Sequence, residues 1–505
     1  MSNLSFNLVA AAQRAPQHPA LRCGETTLSY AEFAGAAARV ATFLDRAGVQ
    51  PGDRVGIMLP NTPAFAVVFY GIISRGAVAV PMNPLLKARE IEFYLTNTGA
   101  RAIFATPAFA EEATTAATAA GAQPWLVDDA SLTELIEGLP EQTTPVSRED
   151  DDTAVVLHTS GTTGKPKGAE LTHGSLHRNA EITMRTLLQI GADDVVMGAL
   201  PLFHVFGLTC GLQCSVLAGA TLALIPRFDP HAVMRLIQRD GVTVFEGVPT
   251  MFSALLAVAA DYPESTTATL RVCASGGAAL PVQVLGDFEK KFGCQVLEGY
   301  GLSETSPVAC FNHPDKIRKA GSIGTPIEGV EMRVVGDDGQ ELPTGEPGEV
   351  QVRGHNVMKG YWNLPDATAE AISPDGWFST GDIGKTDSDG LFYIVDRKKQ
   401  LIIRGGLNVY PREIEEVLYE HPAVAEAAVI GIPHGTLGEE IGAAVALKAG
   451  AATDPEQLRN FVKRQVAAYK YPRRVWIVDA LPKGPTGKIQ RRDITIPTNP
   501  EESAR

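Results

Sequence analysis

Short apolar runs alternate with helical patterns through most of the first 300 residues of this 505-residue chain. The run VGIML (55–59) predicts a buried strand, and PAFAVVFYGIISRG (63–76) predicts an apolar helix after it. AVAVPM (77–82), ARAIFA (100–105) and TAVVLHT (153–159) are further strand candidates, and a similar series from DVVMGAL to CQVLEGY follows residue 193. Because strands that alternate with helices form parallel sheets with helical crossovers, the pattern predicts two α/β units of similar build.

The pattern changes near residue 330, where short alternating runs are separated by DDG, PTGEPG and DSDG turns. Such a series predicts a small antiparallel barrel or sheet. Beyond residue 400 the order of helix and strand patterns predicts a compact α+β unit, and the DRKKQLIIRGGLN segment at its start suits a hinge. We therefore expect an N-terminal domain over 1–395 with a barrel at about 325–395, a hinge at 396–400, and a C-terminal domain over 401–505.

Charge, cysteine usage and the N-terminus exclude several classes of protein. The net charge of −14 argues against nucleic-acid binding, which normally requires a basic patch. The six cysteines form no CxxC pair and no zinc spacing, which indicates reduced core thiols in a cytoplasmic protein. The N-terminal segment lacks the basic start and apolar run of a signal peptide, and no stretch of about 18 apolar residues predicts a membrane span.

The stretch TSGTTGKPKG (159–168) follows the strand candidate TAVVLH and has the composition of an anion-binding loop. Glycines and small hydroxyl residues let successive backbone N–H groups close around a phosphate. The residues that could bind it are Thr159, Ser160, Gly161, Thr162, Thr163, Gly164, Lys165 and Lys167. The spacing is not that of a Walker A loop, because Gly161 and Gly164 are too close and Pro166 follows Lys165.

TSGTTGKPKG resembles the signature loop of the adenylate-forming superfamily, which includes acyl- and aryl-CoA synthetases, luciferases and nonribosomal adenylation domains. Later motifs of that family appear in the expected order, so the resemblance covers nearly the whole chain. It implies an α/β fold, with a large N-terminal domain of two α/β subdomains plus a small β-barrel, followed by a small mobile α+β C-terminal domain. It also implies ATP, Mg²⁺ and coenzyme A as co-substrate.

The resemblance assigns roles to residues in five further motifs. EGYGLSET (298–305) is similar to the second ATP motif, with Tyr300 against adenine, Ser303 at the phosphate and Glu304 on Mg²⁺. The other expected nucleotide-binding residues are Gly276, Gly277 and Ala278 in SGGAAL, Gly299 and Gly301, Asp382 in STGD, and Ile394 and Arg397 around DRKK. PKGPTGKIQRR (482–492) resembles the mobile loop that carries the catalytic lysine, here Lys488. The implied catalytic set is Lys488, Thr159 and Glu304.

Two reaction steps are implied, and the family alternates between them by rotating the C-terminal domain. Lys488 would stabilise charge on the α-phosphate during adenylation. By motif register Lys399 is the hinge residue, and Gly405 and Gly406 border the CoA tunnel in the second state. A glycine suits such a passage because a side chain would obstruct it, although a simple turn explains the Gly-Gly pair as well.

The acid is the least determined part of the prediction. PLFHVFGL (201–208) resembles the substrate-pocket motif, and the expected pocket residues are Phe203, His204, Phe206, Gly247, Val248, Ser275, Gly299 and Ser306. These are mostly small or apolar, and no arginine is present to pair with a second carboxylate. We therefore expect an apolar monocarboxylate, first a medium- or long-chain fatty acid, with aryl and dicarboxylic acids as alternatives.

Three other kinds of protein could carry the same ATP motifs. A luciferase-like oxygenase differs only in its product, whereas an acyl-AMP ligase that loads a carrier protein tends to carry an insertion near the hinge, and none lies between Lys399 and Gly406. A catalytically dead binding module disagrees with the presence of Lys488, Glu304 and Asp382. The expected partners are a small carboxylic acid, ATP and CoA, without nucleic acid or a transmembrane segment, and a homodimer stays open.

Overall fold

The computed structural model describes residues 3–142, 144–159 and 166–497, except for the side chain of residue 399. Within these residues the chain forms four sheets, two of them large and flanked by helices. The predicted α/β class, with a large N-terminal part and a small C-terminal part, is confirmed.

The first large sheet has seven strands in the described part of the chain. In spatial order they are Gly360–Tyr361, Lys167–Thr172, Thr153–Thr159, Val78–Pro81, Arg54–Met58, Ala102–Ala105 and Gln123–Leu126. The last five are parallel, and the first two are antiparallel additions at one edge. Most residues of the central strands are buried because helices cover both faces, which explains their continuous apolar runs.

The second large sheet has nine strands among the described residues. Their order is Thr325–Pro326, Val308–Phe311, Gln295–Gly301, Val272–Ser275, Val244–Gly247, Val195–Gly198, Thr221–Leu224, Pro19–Cys23 and Thr26–Ser29. The six strands from Gln295–Gly301 to Pro19–Cys23 are parallel, so their carboxyl ends lie along one edge. Ligands of open α/β sheets bind outside such an edge.

Two smaller sheets follow. Val330–Val335, Gly348–Gly354, Phe378–Thr386 and Phe392–Arg397 form a four-stranded antiparallel sheet where the sequence predicts a barrel or sheet. The C-terminal sheet contains Ile402–Arg404, Leu407–Val409, Val424–His434, Gly438–Leu447 and Arg474–Val478. The change of style near residue 330 is therefore a real change of sheet type, whereas the predicted domain boundaries at 395 and 401 stay predictions.

Helices cover the sheets. Those of the N-terminal part are Ser5–Arg14, Tyr30–Arg46, Pro63–Ser74, Ala88–Thr98, Ala110–Ala120, Asp129–Ile136, His173–Ile182, Cys214–Ala218, Pro230–Asp240, Pro249–Val258, Val282–Phe292 and Pro365–Ala371. Pro411–Tyr419 and Pro455–Lys463 pack on the C-terminal sheet, and Thr183–Leu187 and Gly207–Gln213 are π-helical. Short 3₁₀ turns are Pro107–Phe109, Ala259–Asp261, Glu264–Thr267, Ser303–Thr305, Lys398–Gln400 and Arg491–Asp493.

Helix starts follow local chemistry. The Ser29 side chain caps Tyr30–Arg46 in a reciprocal box with Glu32, and Asp229 caps Pro230–Asp240 ahead of a proline in the first turn. The six cysteines are free thiols, as the sequence predicts.

Candidate active site

The phosphate loop begins where the buried strand Thr153–Thr159 ends at the edge of the first sheet. Ser160, Gly161, Thr162, Thr163, Gly164 and Lys165 lie outside the described residues, so their predicted contacts stay predictions. Lys167 starts the returning strand, and its Nζ lies 4.9 Å from the centre of the Tyr361 ring. A cation over an aromatic face is an attractive contact, and it holds this lysine beside Tyr361.

Glu304 lies next to the first residue of this loop. It belongs to the 3₁₀ turn Ser303–Thr305, and its Oε1 accepts hydrogen bonds from Tyr361 OH (3.1 Å) and Thr159 Oγ1 (3.3 Å). Burial raises the pKa of Glu304, while hydrogen bonds from its own backbone N–H, from Tyr361 and from Thr159 oppose that rise. Both side-chain hydrogen bonds go to Oε1, so neither hydroxyl occupies Oε2.

This donor set fits Mg²⁺ held jointly by protein and nucleotide. Mg²⁺ prefers oxygen ligands and usually takes one or two carboxylates together with substrate phosphates and waters. Among the described residues no group of three or more His, Cys, Asp or Glu side chains could hold a metal ion alone. Glu304 and Thr159 therefore suit a metal that arrives with ATP.

Asp382 is the centre of a second cluster on the antiparallel sheet. Its Oδ2 accepts a 2.6 Å hydrogen bond from Tyr300 OH, and Arg397 Nε lies 3.3 Å from its Oδ1. The carboxyl group is 4% exposed, and burial raises its pKa, whereas the charge of Arg397 and the bond from Tyr300 lower it. The structure thus brings together three predicted nucleotide residues that are far apart in sequence.

Lys488 reaches the same cluster from the C-terminal part of the chain. A Cβ on Gly277 would lie 2.8 Å from Lys488 Cε and 3.2 Å from its Nζ, so the lysine packs directly on this glycine. Burial and the charge of Arg397 lower the pKa of Lys488 to about 8, and the charge of Asp382 opposes them. Thr250 Oγ1 donates a 2.9 Å hydrogen bond to Gly487 O, which fixes the loop beside the second sheet.

An ion-pair cluster around Asp396 holds the C-terminal part in this position. Asp396 Oδ2 accepts a 3.1 Å hydrogen bond from the Arg412 backbone N–H at the start of helix Pro411–Tyr419. Arg491 Nη1 lies 3.4 Å from Asp396 Oδ1, and its Nη2 lies 2.6 Å from Glu415 Oε2. Because Asp396 is 5% exposed, this link between the antiparallel sheet and the Lys488 loop is shielded from water.

His204 and Phe206 form one wall of the predicted acid pocket. The Phe206 backbone N–H donates to His204 Nδ1 at 3.2 Å. Burial and the charge of Lys488 lower the pKa of His204 to about 3, so the ring is neutral and carries its proton on Nε2. The Phe206 ring packs on Gly276, 3.0 Å from the position of a Cβ there, and Phe203 packs half-buried against the core.

The remaining pocket residues lie where strands of the second sheet end. Gly247 and Ser275 are paired neighbours in parallel strands, Val248 follows, and Ser306 follows the 3₁₀ turn. The Ser275 and Ser306 hydroxyls are buried without a hydrogen-bond partner among the described residues. The structure thus leaves two buried hydroxyls among the predicted pocket residues.

Other predicted residues have different surroundings. A Cβ on Gly299 would lie 2.1 Å from the Phe311 ring, and one on Gly301 would lie within the Pro307 backbone, so close strand packing requires both glycines. Ala278, next to Gly277, is exposed, and Ser303, next to Glu304, is half-buried. The Ile394 carbonyl accepts a hydrogen bond from the Arg412 guanidinium.

Gly405 and Gly406 do not join the ATP-site residues in this arrangement. They form the exposed turn between Ile402–Arg404 and Leu407–Val409, with φ values of +57° and +80°. The Gly405 N–H donates to Leu437 O at 2.8 Å. The predicted hinge side chain, Lys399, lies outside the described part, so both assignments stay predictions.

Sequence reasoning gave no role to Tyr361, Asp396 or Glu246. Tyr361 reaches Glu304 only because Gly360–Tyr361 adds to the edge of the first sheet, which no local pattern shows. Glu246 did leave a signal, since it is a carboxylate within the apolar strand run VTVFEGV.

Comparison with known proteins identifies the family. The family model described as "AMP-binding enzyme" matches residues 8–362, and "AMP-binding enzyme C-terminal domain" matches residues 413–488. A long-chain-fatty-acid–CoA ligase of Bacillus subtilis is 36% identical over 96% of this chain and 92% of its own length. A feruloyl-CoA synthase of an Amycolatopsis species is 39% identical, over 96% and 97%. The structure of ATP-bound MatB from Rhodopseudomonas palustris superposes with a TM-score of 0.91 at 34% identity, over 97% of each chain.

The fold and these relatives define the class of the protein, which is an AMP-forming acid–thiol ligase that uses ATP and coenzyme A. The chain belongs to the AMP-binding enzyme family. In the described residues no helix is both long and apolar enough to cross a membrane.

Proposed function

We propose that the protein converts an apolar monocarboxylic acid, first a medium- or long-chain fatty acid, into its CoA thioester. In the first step the acid and ATP give acyl-AMP and pyrophosphate, and in the second acyl-AMP and CoA give acyl-CoA and AMP. The observation that carries the proposal is the position of Lys488 on Gly277, beside the Asp382 cluster and the acid-pocket residue His204.

In the adenylation step Lys488 stabilises the negative charge that builds on the α-phosphate when the carboxylate attacks. A charge placed in a cleft shielded from water acts strongly on such a transition state. Asp382 accepts hydrogen bonds from the ribose hydroxyls, and Arg397 holds the Asp382 carboxylate in place. Mg²⁺, when bound with ATP at Glu304 and Thr159, would neutralise phosphate charge.

The acid lies with its carboxylate towards His204. Because the imidazole is neutral and Nδ1 already accepts the Phe206 N–H, the Nε2–H is the group free to donate to a carboxylate oxygen. This hydrogen bond orients the nucleophilic oxygen without adding a second cation beside Lys488. Orientation of this kind contributes to rate by holding the reacting atoms close together.

For the thioester step we propose that the C-terminal part rotates about the segment at Lys399, which withdraws Lys488 and brings Gly405 and Gly406 towards the acyl-adenylate. The ion pairs of Arg491 with Asp396 and Glu415 would have to break or rearrange in that rotation. Exposure of these charged side chains to water during the rotation would lower the free-energy cost of breaking the ion pairs, since water replaces the lost contacts.

The choice of acid rests on the pocket lining. Phe203, Phe206 and Val248 offer apolar surface, and each buried methylene contributes about 0.8 kcal/mol to binding. The named relatives act on a long-chain fatty acid and on ferulate, so an aryl acid is the second candidate.

The test is thioester formation, followed by mass spectrometry, with ATP, Mg²⁺ and CoA fixed. The panel contains acetate, octanoate, palmitate, malonate, benzoate and coumarate. Thioesters from octanoate or palmitate at the highest kcat/KM are expected. Acyl-adenylate without thioester for every acid would contradict the CoA step, and preference for malonate would contradict the apolar pocket.

A second test separates the two half-reactions. Lys488→Ala should lower pyrophosphate exchange by about 10²–10³. It should leave thioester formation from preformed acyl-adenylate nearly unchanged, because the lysine acts only in the first step. Equal losses in both steps would refute the role of Lys488.

We also propose that the enzyme works in the cytoplasm, which the six free thiols support. Fractionation of the source cells tests this location. A homodimer stays a prediction, for which sedimentation measurements would be decisive.

A further inference from the structure

Glu246 is a buried carboxyl group to which no role has been given so far. It lies in strand Val244–Gly247, directly before the pocket residues Gly247 and Val248, and is 1% exposed. None of the hydrogen bonds or ion pairs among the described residues involves its carboxyl group, and Oε1 is buried without a partner. Buried polar groups nearly always have partners, so an exception directly before two predicted pocket residues calls for an explanation.

The side chain points to the π-helix that follows the substrate-pocket motif. Side chains alternate along a strand, so Glu246 projects to the opposite face from Phe245, whose ring packs with Phe252. A Cβ on Gly211, in the π-helix Gly207–Gln213, would lie 3.5 Å from Glu246 Oε2. The glycine leaves open the space beside the carboxyl group.

The carboxyl group lies at a distance from the reacting end that suits a mid-sized acid. His204, at the reacting end, and Gly211 are seven residues apart on one helical segment. At a rise of 1.5 Å per residue this separates them by at most about 10 Å. An aryl propenoic acid or an eight-carbon chain spans roughly this distance.

The surroundings of Glu246 are neutral. Cys210 and Cys214 face it from the π-helix region, and burial followed by the charge of Glu246 raises the pKa of both thiols. Burial raises the pKa of Glu246 itself to about 8, so at pH 7 the group is a carboxylic acid that can both donate and accept a hydrogen bond. The distal carboxylate of a dicarboxylic substrate would be buried beside Glu246 without a cation, which is unfavourable.

From this geometry we infer that Glu246 forms the distal end of the acid pocket and selects substrates that carry a hydroxyl group at the end remote from their carboxylate. The inference rests on the ligase activity of the proposed function but changes its first substrate. It favours hydroxylated aryl acids, which belong to the second candidate class, or ω-hydroxy medium-chain acids over unsubstituted fatty acids. The Glu246 carboxyl donates a hydrogen bond to the substrate hydroxyl oxygen or accepts one from its O–H, whereas an unsubstituted acid lacks the hydroxyl and leaves the buried Glu246 carboxyl without a partner. A pocket built for a hydroxyl rejects analogues that lack it.

The test compares two matched pairs of acids, cinnamate with 4-hydroxycinnamate and octanoate with 8-hydroxyoctanoate. Pyrophosphate exchange measures kcat/KM for adenylation, and thioester formation is measured separately. Wild type should prefer the hydroxylated member of at least one pair by about tenfold or more. Glu246→Gln should keep a preference, whereas Glu246→Leu should reverse it by improving use of the unsubstituted acid.

Glu298→Gln is the matched control. Glu298 is also buried, at 2% exposure, and its Oε2 likewise has no partner among the described residues. Its Oε1, however, accepts the Leu280 N–H at 3.1 Å, and its paired neighbour Ser275 lies beside Gly247 rather than Glu246. The ratio within each pair should be unchanged in this variant, and thermal unfolding should show that all three variants are folded.

Equal use of both members of both pairs by wild type would overturn the inference, as would a preference that survives in Glu246→Leu. Preference for 8-aminooctanoate over 8-hydroxyoctanoate would also overturn it, because the group would then act as a carboxylate. Selective exchange without any thioester would refute the CoA step alone and leave the inference supported.

Discussion

Gly277→Ala tests directly whether the packing of Lys488 matters for adenylation. The new Cβ would lie 2.8 Å from Lys488 Cε, whereas carbon atoms pack best at about 3.5–4.0 Å. The flexible end of the lysine can move aside, so the ammonium is displaced by roughly 1 Å. A misplacement of that size costs about 100-fold in rate. We expect pyrophosphate exchange to fall by about 10- to 100-fold, with thioester formation from acyl-adenylate nearly intact.

The backbone adds a separate effect on stability. Gly277 has φ +80°, and an L-residue in this region costs about 1–2 kcal/mol. Gly241→Ala is the matched control, since Gly241 has φ +67° and nothing lies within 4 Å of its Cβ position. It should lose similar stability in urea unfolding and keep full adenylation.

A double-mutant cycle distinguishes displacement of the lysine from disturbance of nucleotide binding. In a Lys488→Ala background, Gly277→Ala should cause little further loss of adenylation, because the displaced group is already absent. Additive losses, or an undiminished exchange rate in Gly277→Ala alone, would refute the reasoning.

Three further outcomes follow from the site. The kcat/KM for adenylation should fall as pH rises through about 8, because Lys488 then loses its proton in the free enzyme. Lys488→Arg should remove that fall and also lower the maximal kcat/KM. An identical pH profile in both proteins would contradict this. Tyr361→Phe frees Glu304 Oε1 from its 3.1 Å hydrogen bond and should raise the Mg²⁺ concentration for half-maximal exchange by about tenfold; an unchanged Mg²⁺ titration would contradict it. The folded-state pKa of Glu246 is raised from 4.5 to about 8, so the unfolded chain loses this proton first and stability falls as pH rises between those values. The change in the free energy of unfolding caused by Glu246→Gln should therefore be about 3 kcal/mol more favourable at pH 7 than at pH 4.5. Urea titrations that show the same pH dependence of stability in both proteins would contradict this.

Much of the fold follows from patterns local in the chain. The run at 153–159 became the strand Thr153–Thr159, and VGIML became Arg54–Met58, because buried parallel strands require continuous apolar residues. The series of turns near residue 330 likewise marked the antiparallel sheet. Strand order could not be predicted in the same way, since Gly360–Tyr361 joins the first sheet from almost 200 residues downstream of its partner.

The sequence determined the family and, through that resemblance, predicted the chemistry: a loop for phosphate, the order of the later motifs, and roles for Glu304, Asp382 and Lys488. Each of these is recognisable because its function needs a particular residue type within a short segment. Only the tertiary structure decided which groups meet. It showed that the Asp396 ion pairs hold the C-terminal part, and that Glu246 is buried unpaired beside the π-helix. Contacts of this kind depend on strand register and side-chain direction across distant segments, which no local pattern encodes.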